Sequence, residues 1–248
     1  MWTAPARSLA LEGDAVHVWR ASLDSPGVSV PELSGVLAPD ERDRAARFHF
    51  PRDRDRWIAG RGVLRFLLAR YLGGRPERLG FAYGAQGKPA LATTDAAAGL
   101  RFNVSHSAGV ALYAVTRGRD VGVDVEALRA DFATDEIAER FFSPAERQAL
   151  RGLPPERRCE AFFACWTRKE AYIKARGQGL SLALDAFDVS LTPGEPAALL
   201  ATRDDAAQAE RWSLHALDPG PGFAGAVAVE GRGWALRRWQ WPGGSTAL

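Results

Sequence analysis

Val121-Gly122-Val123-Asp124-Val125-Glu126 and Trp166-Thr167-Arg168-Lys169-Glu170-Ala171-Tyr172-Ile173-Lys174 are the stretches on which the reading of this chain turns. The first alternates as a strand does: Val121, Val123 and Val125 share one face and belong to a core, while Asp124 and Glu126 share the other, towards solvent or a cleft. The second has helical spacing, with Glu170 and Lys174 one turn apart on one face. Three carboxylates on two rigid elements with a lysine beside them suit a Mg²⁺–phosphate site. That ion takes oxygen ligands and is commonly shared between one or two carboxylates and substrate phosphates. Taken singly, a DxE strand is also what a solvated edge looks like, and a Glu–Lys pair at i,i+4 is an ordinary surface contact.

Working outward, Val16–Arg20 reads as a strand, and Asp40–Phe48 and Arg54–Tyr71 as helices, the second stopped by Gly73-Gly74. Phe81–Tyr83 and Leu100–Val104 are short strands around a polar loop. Val110–Thr116 and Val121–Glu126 are expected to pair as a hairpin around Arg117-Gly118-Arg119-Asp120. Thr134–Phe141 is helical. Ser143-Pro144-Ala145-Glu146 matches a capping box with proline at the first helical position. After Pro154-Pro155 a long helix runs from Glu156 to about Arg176, and strands at Arg211–Ala216, Gly225–Val229 and Ala235–Trp239 close the chain. The tail from Pro242 is expected to be mobile. The class is α+β, with helices and a few mostly antiparallel strands in each half and no strict sequence repeat.

Composition excludes several alternatives. A chain of 248 residues with 46% hydrophobic and 25% charged residues can bury a core and is not disordered in bulk. No apolar run approaches the roughly 20 residues of a membrane span, and the start Met1–Arg7 lacks a signal-peptide layout, so a cytoplasmic location is expected. Cys159 and Cys165 lack the spacing of a zinc or disulfide framework. Net charge is +2, yet only Lys88, Lys169 and Lys174 among the 32 basic residues are lysines. In so arginine-rich a chain, a retained lysine marks a place where a compact ammonium is preferred over a planar guanidinium. Nine arginines between Arg42 and Arg70 are interleaved with Asp40, Glu41, Asp43, Asp53 and Asp55. That pattern is a salt-laced solvated helix rather than a nucleic-acid surface.

Phe102-Asn103-Val104-Ser105-His106-Ser107 adds a histidine flanked by hydroxyls, able to donate to an anionic oxygen. With no G-x-S-x-G and no attack geometry from an adjacent Ser-His, a serine hydrolase is set aside. Together these three segments, in this order, resemble the 4′-phosphopantetheinyl transferase superfamily. The resemblance extends from about Pro39 to Leu184, and the length and first half resemble its larger, monomeric class typified by the surfactin-synthetase activating enzyme.

The resemblance implies two similar halves related by a pseudo-twofold axis, residues 1–108 contacting coenzyme A and residues 109–248 carrying the metal site and catalytic helix. It implies transfer of 4′-phosphopantetheine from coenzyme A to a serine of an acyl or peptidyl carrier protein, with release of 3′,5′-ADP. Asp124, Glu126 and Glu170 match the family's ligands for Mg²⁺, Mn²⁺ being the other candidate. The implied base is Glu170 or a Mg²⁺-bound water near it, and Lys174 matches the lysine near the pyrophosphate. Ser105 and His106 match a phosphate-contacting turn, and Gly87-Lys88-Pro89 a loop beside the adenine. Arg44 and Arg56 fall where relatives place basic residues near the 3′-phosphate; one family lysine appears here as Glu41, and Arg61 is a substitute candidate. Glu146, near an acid of relatives, is better explained by its capping box. A monomer is expected, with neither nucleic acid nor membrane as partner. The rival functions are a coenzyme A-binding regulator without transfer and a Mg²⁺-dependent phosphohydrolase cutting the same pyrophosphate.

Overall fold

The computed structural model describes residues 1–5, 9–84, 87–92 and 99–243; the expectations for Ala6 and Arg7 and for the tail past residue 243 lie outside the described residues. A strand β1 (Ala15–Ser22) leads into helices α1 (Val30–Gly35), α2 (Pro39–Ala46) and α3 (Pro51–Leu72), then strands β2 (Phe81–Tyr83), β3 (Pro89–Leu91), β4 (Leu100–Ser107) and β5 (Val110–Arg117). The same order then recurs. Strand β6 (Val121–Ala127) precedes α4 (Asp135–Phe141), α5 (Pro144–Arg151) and α6 (Pro155–Arg176), followed by β7 (Phe187–Val189) and β8 (Leu199–Thr202). A one-turn helix α7 (Gln208–Arg211) leads to β9 (Trp212–Leu217) and β10 (Phe223–Glu230), and β11 (Ala235–Gln240) comes last.

Sheet order repeats as well: β1-β5-β4 in one sheet and β6-β10-β9 in the other, with β11 added in parallel to the outer edge of β1. The architecture is α+β, two main, mostly antiparallel sheets and two two-stranded ribbons, β2-β3 and β7-β8, packed with helices. Val16, Val18, Leu112 and Ala114 of the first sheet meet Val121, Val123, Val125, Val227 and Val229 of the second in one apolar cluster. The opposite faces carry α3 and α6 respectively. Both helices begin with proline, whose missing N–H costs nothing there, and end on a left-handed glycine, Gly73 or Gly177.

One sequence expectation is corrected. Val110–Thr116 and Val121–Glu126 do not pair; β5 pairs with β4 and β1, and β6 pairs with β10. The hairpin lies instead at Ala108-Gly109, both with positive φ (45° and 90°), the two-residue turn whose twist matches its strands. Residues 117–120 are the crossing from one sheet to the other. The physical reason is the valine face of β6, which is buried between the sheets and sends the chain across rather than alongside.

Candidate active site

The site forms where β4 of the first sheet runs beside the free edge of β6. Alternate residues of β4 reach across. Val123 N–H donates to Asn103 Oδ1 (2.8 Å), Ser105 Oγ–H to Asp124 Oδ1 (2.7 Å) and Ala127 N–H to Ser107 Oγ (3.1 Å). Ser107 Oγ–H in turn donates to Glu126 Oε2 (2.8 Å). Side chains therefore satisfy part of an edge that a strand would otherwise pair. On the other side α6 presses so close to β6 that a Cβ on Gly122 would lie 2.1 Å from the carbonyl of Ala171. That contact fixes Glu170 and Lys174 over Asp124.

Lys174 Nζ donates to Asp124 Oδ1 (2.6 Å) and Ser105 Oγ (3.0 Å). Asp124 is 2% exposed, more enclosed than a strand face open to solvent would make it, and its Oδ2 is buried without a partner. Burial, then the charge of Asp124, pushes the Glu170 and Glu126 carboxyls up from the ordinary range. Partial burial, then the charges of Lys174 and Arg56, lowers the His106 pKa and favours the neutral ring. A hollow of about 400 Å³ is lined by Val104, Ser105, His106, Asp124, Glu126, Trp166, Glu170 and Lys174. A larger one, about 890 Å³, opens between the middle of α6 (Glu160, Ala164 and Arg168), residues 193–199 and β9, and of the residues of the two motif segments it touches only Arg168.

Three carboxylates thus face one ammonium, with an unpartnered carboxylate oxygen among them. The donor set fits a hard divalent cation. As positioned they do not converge on one point: among the described residues no group of three or more His, Cys, Asp or Glu is gathered closely enough to hold a metal. Lys174 supplies the counter-charge at Asp124.

The other sequence candidates are placed nearby or elsewhere. Lys88 turns inward, donating Nζ–H to the carbonyls of Lys174 (2.6 Å) and Val121 (3.3 Å), and burial lowers its pKa. Its loop turns at Gly87 (φ 74°), and Lys88 and Pro89 border a separate hollow of about 340 Å³ with Phe102 and Asp120. Arg56 is held by Asp24 through two hydrogen bonds of 2.7 Å. Arg44 lies over the Trp57 ring and lines a different depression with Asp40, Arg47 and Phe48. Arg61 is committed to Glu41 and to the faces of Phe81 and Tyr83. Glu146 accepts from the Ser143 N–H (2.9 Å), as the capping-box reading requires, and in addition forms a buried pair with Lys169 (2.8 Å). Sequence reasoning did not single out Asn103 or Trp166, and named Ser107 only as a hydroxyl flanking His106. The two-residue spacing of Asn103, Ser105 and Ser107 on one strand was the available signal.

Comparison with known proteins gives this arrangement its class. Residues 120–228 match the family model of the 4′-phosphopantetheinyl transferase superfamily, and residues 29–117 match that described as 4′-phosphopantetheinyl transferase, N-terminal. The chain belongs to the 4′-phosphopantetheinyl transferase superfamily. It is 43% identical over 240 residues to the 4′-phosphopantetheinyl transferase HetI of Nostoc sp., covering 97% of this chain and 98% of that one. To the 4′-phosphopantetheinyl transferase Sfp of Bacillus subtilis it is 31% identical, over 62% of this chain and 66% of the relative. Among solved structures, Helicobacter pylori holo-[acyl-carrier-protein] synthase in complex with coenzyme A is 21% identical. The match covers 44% of this chain and 98% of that one, with a TM-score of 0.36.

Proposed function

We propose that this enzyme moves 4′-phosphopantetheine from coenzyme A to a serine hydroxyl of an apo acyl or peptidyl carrier protein. The observation that carries the proposal is the knot of Lys174, Asp124 and Ser105, flanked by Glu126 and Glu170, at the junction of the two sheets. The serine oxygen attacks the β-phosphorus; the bond to the 3′,5′-ADP oxygen breaks, and 3′,5′-ADP leaves. Glu170, or a water that a bound metal would hold near it, takes the serine proton. Lys174 donates to the pyrophosphate from a fixed position, and the neutral His106 ring adds one N–H. Asp124, Glu126 and Glu170 would hold Mg²⁺, or Mn²⁺ in its place, which supplies charge neutralisation for the pyrophosphate when bound. Ser105, supported on β4, orients Asp124.

Within this reading the first half, through Arg56 and the Gly87-Lys88-Pro89 loop, is the coenzyme side, with Arg44 at its margin. The second half supplies the carboxylates. Both come from one chain, which supports a monomer. Free thiols at Cys159 and Cys165 suit the cytoplasm, and among the described residues no helix is long and apolar enough to cross a membrane. Carriers of fatty-acid, polyketide or nonribosomal-peptide synthesis all present the required serine.

Intact-protein mass spectrometry of apo carrier domains with coenzyme A, Mg²⁺ and an EDTA control tests the proposal. A metal-dependent gain of one phosphopantetheine is expected. Release of 3′,5′-ADP without any carrier would favour the phosphohydrolase, and coenzyme binding without transfer to any carrier would favour the regulator.

A further inference from the structure

We propose that Asp24 is a built-in counter-ion for the coenzyme-binding arginines, occupying the fork of Arg56 until a substrate phosphate displaces it and so setting how tightly the coenzyme binds. The inference rests on the transferase reading above and adds a residue that none of the sequence motifs contains.

Asp24 lies two residues past the end of β1, and its neighbour Leu23 anchors the segment by donating N–H to the Gly109 carbonyl (2.7 Å). Both carboxylate oxygens are used: Oδ1 accepts from Arg56 Nε and Oδ2 from Arg56 Nη2, each at 2.7 Å. Arg52 Nη2 stands 3.8 Å from the same Oδ2. One carboxylate thus serves two guanidinium groups. The pairing is the two-pronged one by which arginine takes carboxylate or phosphate oxygens.

The pair is built into the turn below it. A Cβ on Gly109 would lie 2.4 Å from Asp24 Oδ2 and 2.9 Å from Arg56 Nη2, so the ion pair lies directly against this turn. Gly109 also closes the hairpin whose first strand carries Ser105, His106 and Ser107. Arg56 acts electrostatically on His106 alongside Lys174. The guanidinium therefore belongs to the field of the candidate site, while the carboxylate is its more exposed partner, at 46% against 20%. A phosphate approaching His106 meets an arginine whose fork already holds an anion. A dianionic phosphomonoester offers more charge than the carboxylate and can replace it; a ligand lacking that phosphate cannot.

The test is calorimetric binding of coenzyme A and of dephospho-coenzyme A, which lacks only the 3′-phosphate, to wild type, Asp24→Asn and Arg56→Gln. Asp24→Asn is expected to tighten coenzyme A by about two- to fivefold, the range an exposed pair is worth, and to leave dephospho-coenzyme A unchanged. Arg56→Gln is expected to weaken coenzyme A alone. Weaker coenzyme A binding in Asp24→Asn would overturn the proposal, making Asp24 a support for Arg56. Equal changes for both ligands, or none for either, would overturn it by placing the pair outside the phosphate's reach. Transfer to an apo carrier by the wild type, assayed in parallel, reports separately on the transferase reading. Binding of neither coenzyme form by the wild type would remove both.

Discussion

Helices α3 and α6 hold the same place in the two halves and carry opposite surfaces. Each has 22 residues, starts at proline and ends on a left-handed glycine. Counted from those prolines, Arg65 corresponds to Lys169, Phe66 to Glu170 and Arg70 to Lys174. The inward device is duplicated. Arg65 pairs with Glu41 (2.6 Å) and donates to the carbonyls of Pro76 and Leu79. Lys169 pairs with Glu146 and donates to those of Leu184 and Phe187. Each glutamate is the third residue of the short helix before it. The faces beside that device have diverged. Where the second half has Asp124, Glu126 and Glu170 around a hollow, the first has Trp19, Ala21 and Phe66, with Trp239 and Trp241 packed on the rings. The difference teaches that one scaffold, held by one kind of buried pair, can gather carboxylates around a hollow on one face and fill the equivalent face with aromatic side chains.

The largest effects should come from the shared device. Glu41→Ala and Glu146→Ala each leave a buried cation unpaired and should cost about 3–5 kcal/mol of stability, read by chemical denaturation. Equal losses would confirm that the two pairs are equivalent. Glu146→Gln, assayed on its folded fraction, should keep its transfer rate; a loss of rate without loss of structure would give Glu146 a direct part in the chemistry.

The diverged faces should respond differently. Asp124→Ala and Glu170→Ala should lower transfer by about 10²–10³-fold with an unchanged fold, because each removes charge placement at the reacting phosphate. Phe66→Leu, at the position corresponding to Glu170, should cost packing energy of about 1 kcal/mol and leave transfer intact. Thermal melts beside the carrier mass assay separate the two outcomes. Transfer at the wild-type rate in Asp124→Ala would break the assignment of the site to the second half.

Much of the site was legible because strand and helix periodicities bring Asp124, Glu126, Glu170 and Lys174 to definite faces. The helices α3 and α6 and the Ser143–Glu146 cap were legible for the same local reasons. The pairing of β5 was not, since the valines of β6 show that it is buried without showing against what. Nor could a sequence show that Lys88 donates to main-chain carbonyls, or that β11 returns to β1 across more than two hundred residues. Those are tertiary choices, decided by which buried polar groups remain to be satisfied. The scarcity of lysine was also a guide. Lys169 is fully buried and saturated by three acceptors, and Lys88 and Lys174 both bridge between the halves.

Lys88 sharpens the comparison at a smaller scale. Its ammonium binds the helix and the strand that together carry all four charged site residues, and it does so from the first half. Lys88→Met should lose about 1–2 kcal/mol and speed amide exchange in the last turn of α6. Unchanged exchange there would show that the loop, not the ammonium, holds the two halves at this point.

The smallest effect concerns charge alone. Glu126 and Glu170 have carboxyl pKa values raised by burial and by Asp124, so the native state holds their protons to higher pH than the unfolded chain does. Stability is therefore full below the unfolded glutamate range and declines as pH rises through the raised native values. Glu126→Gln removes one of these ionisations. The variant should match wild type in acid and exceed it at pH 7 by less than about 1 kcal/mol. On the aromatic face of the first half the pH-linked group is His17, whose pKa burial lowers to about 4, so its contribution runs the other way and is lost as pH falls. Adding Mg²⁺ at pH 7 should narrow the gap, because a cation repays ionised carboxylates in the wild type more than in the variant. A gap that ignores both pH and Mg²⁺ would mean that the three carboxylates do not act as one charged cluster.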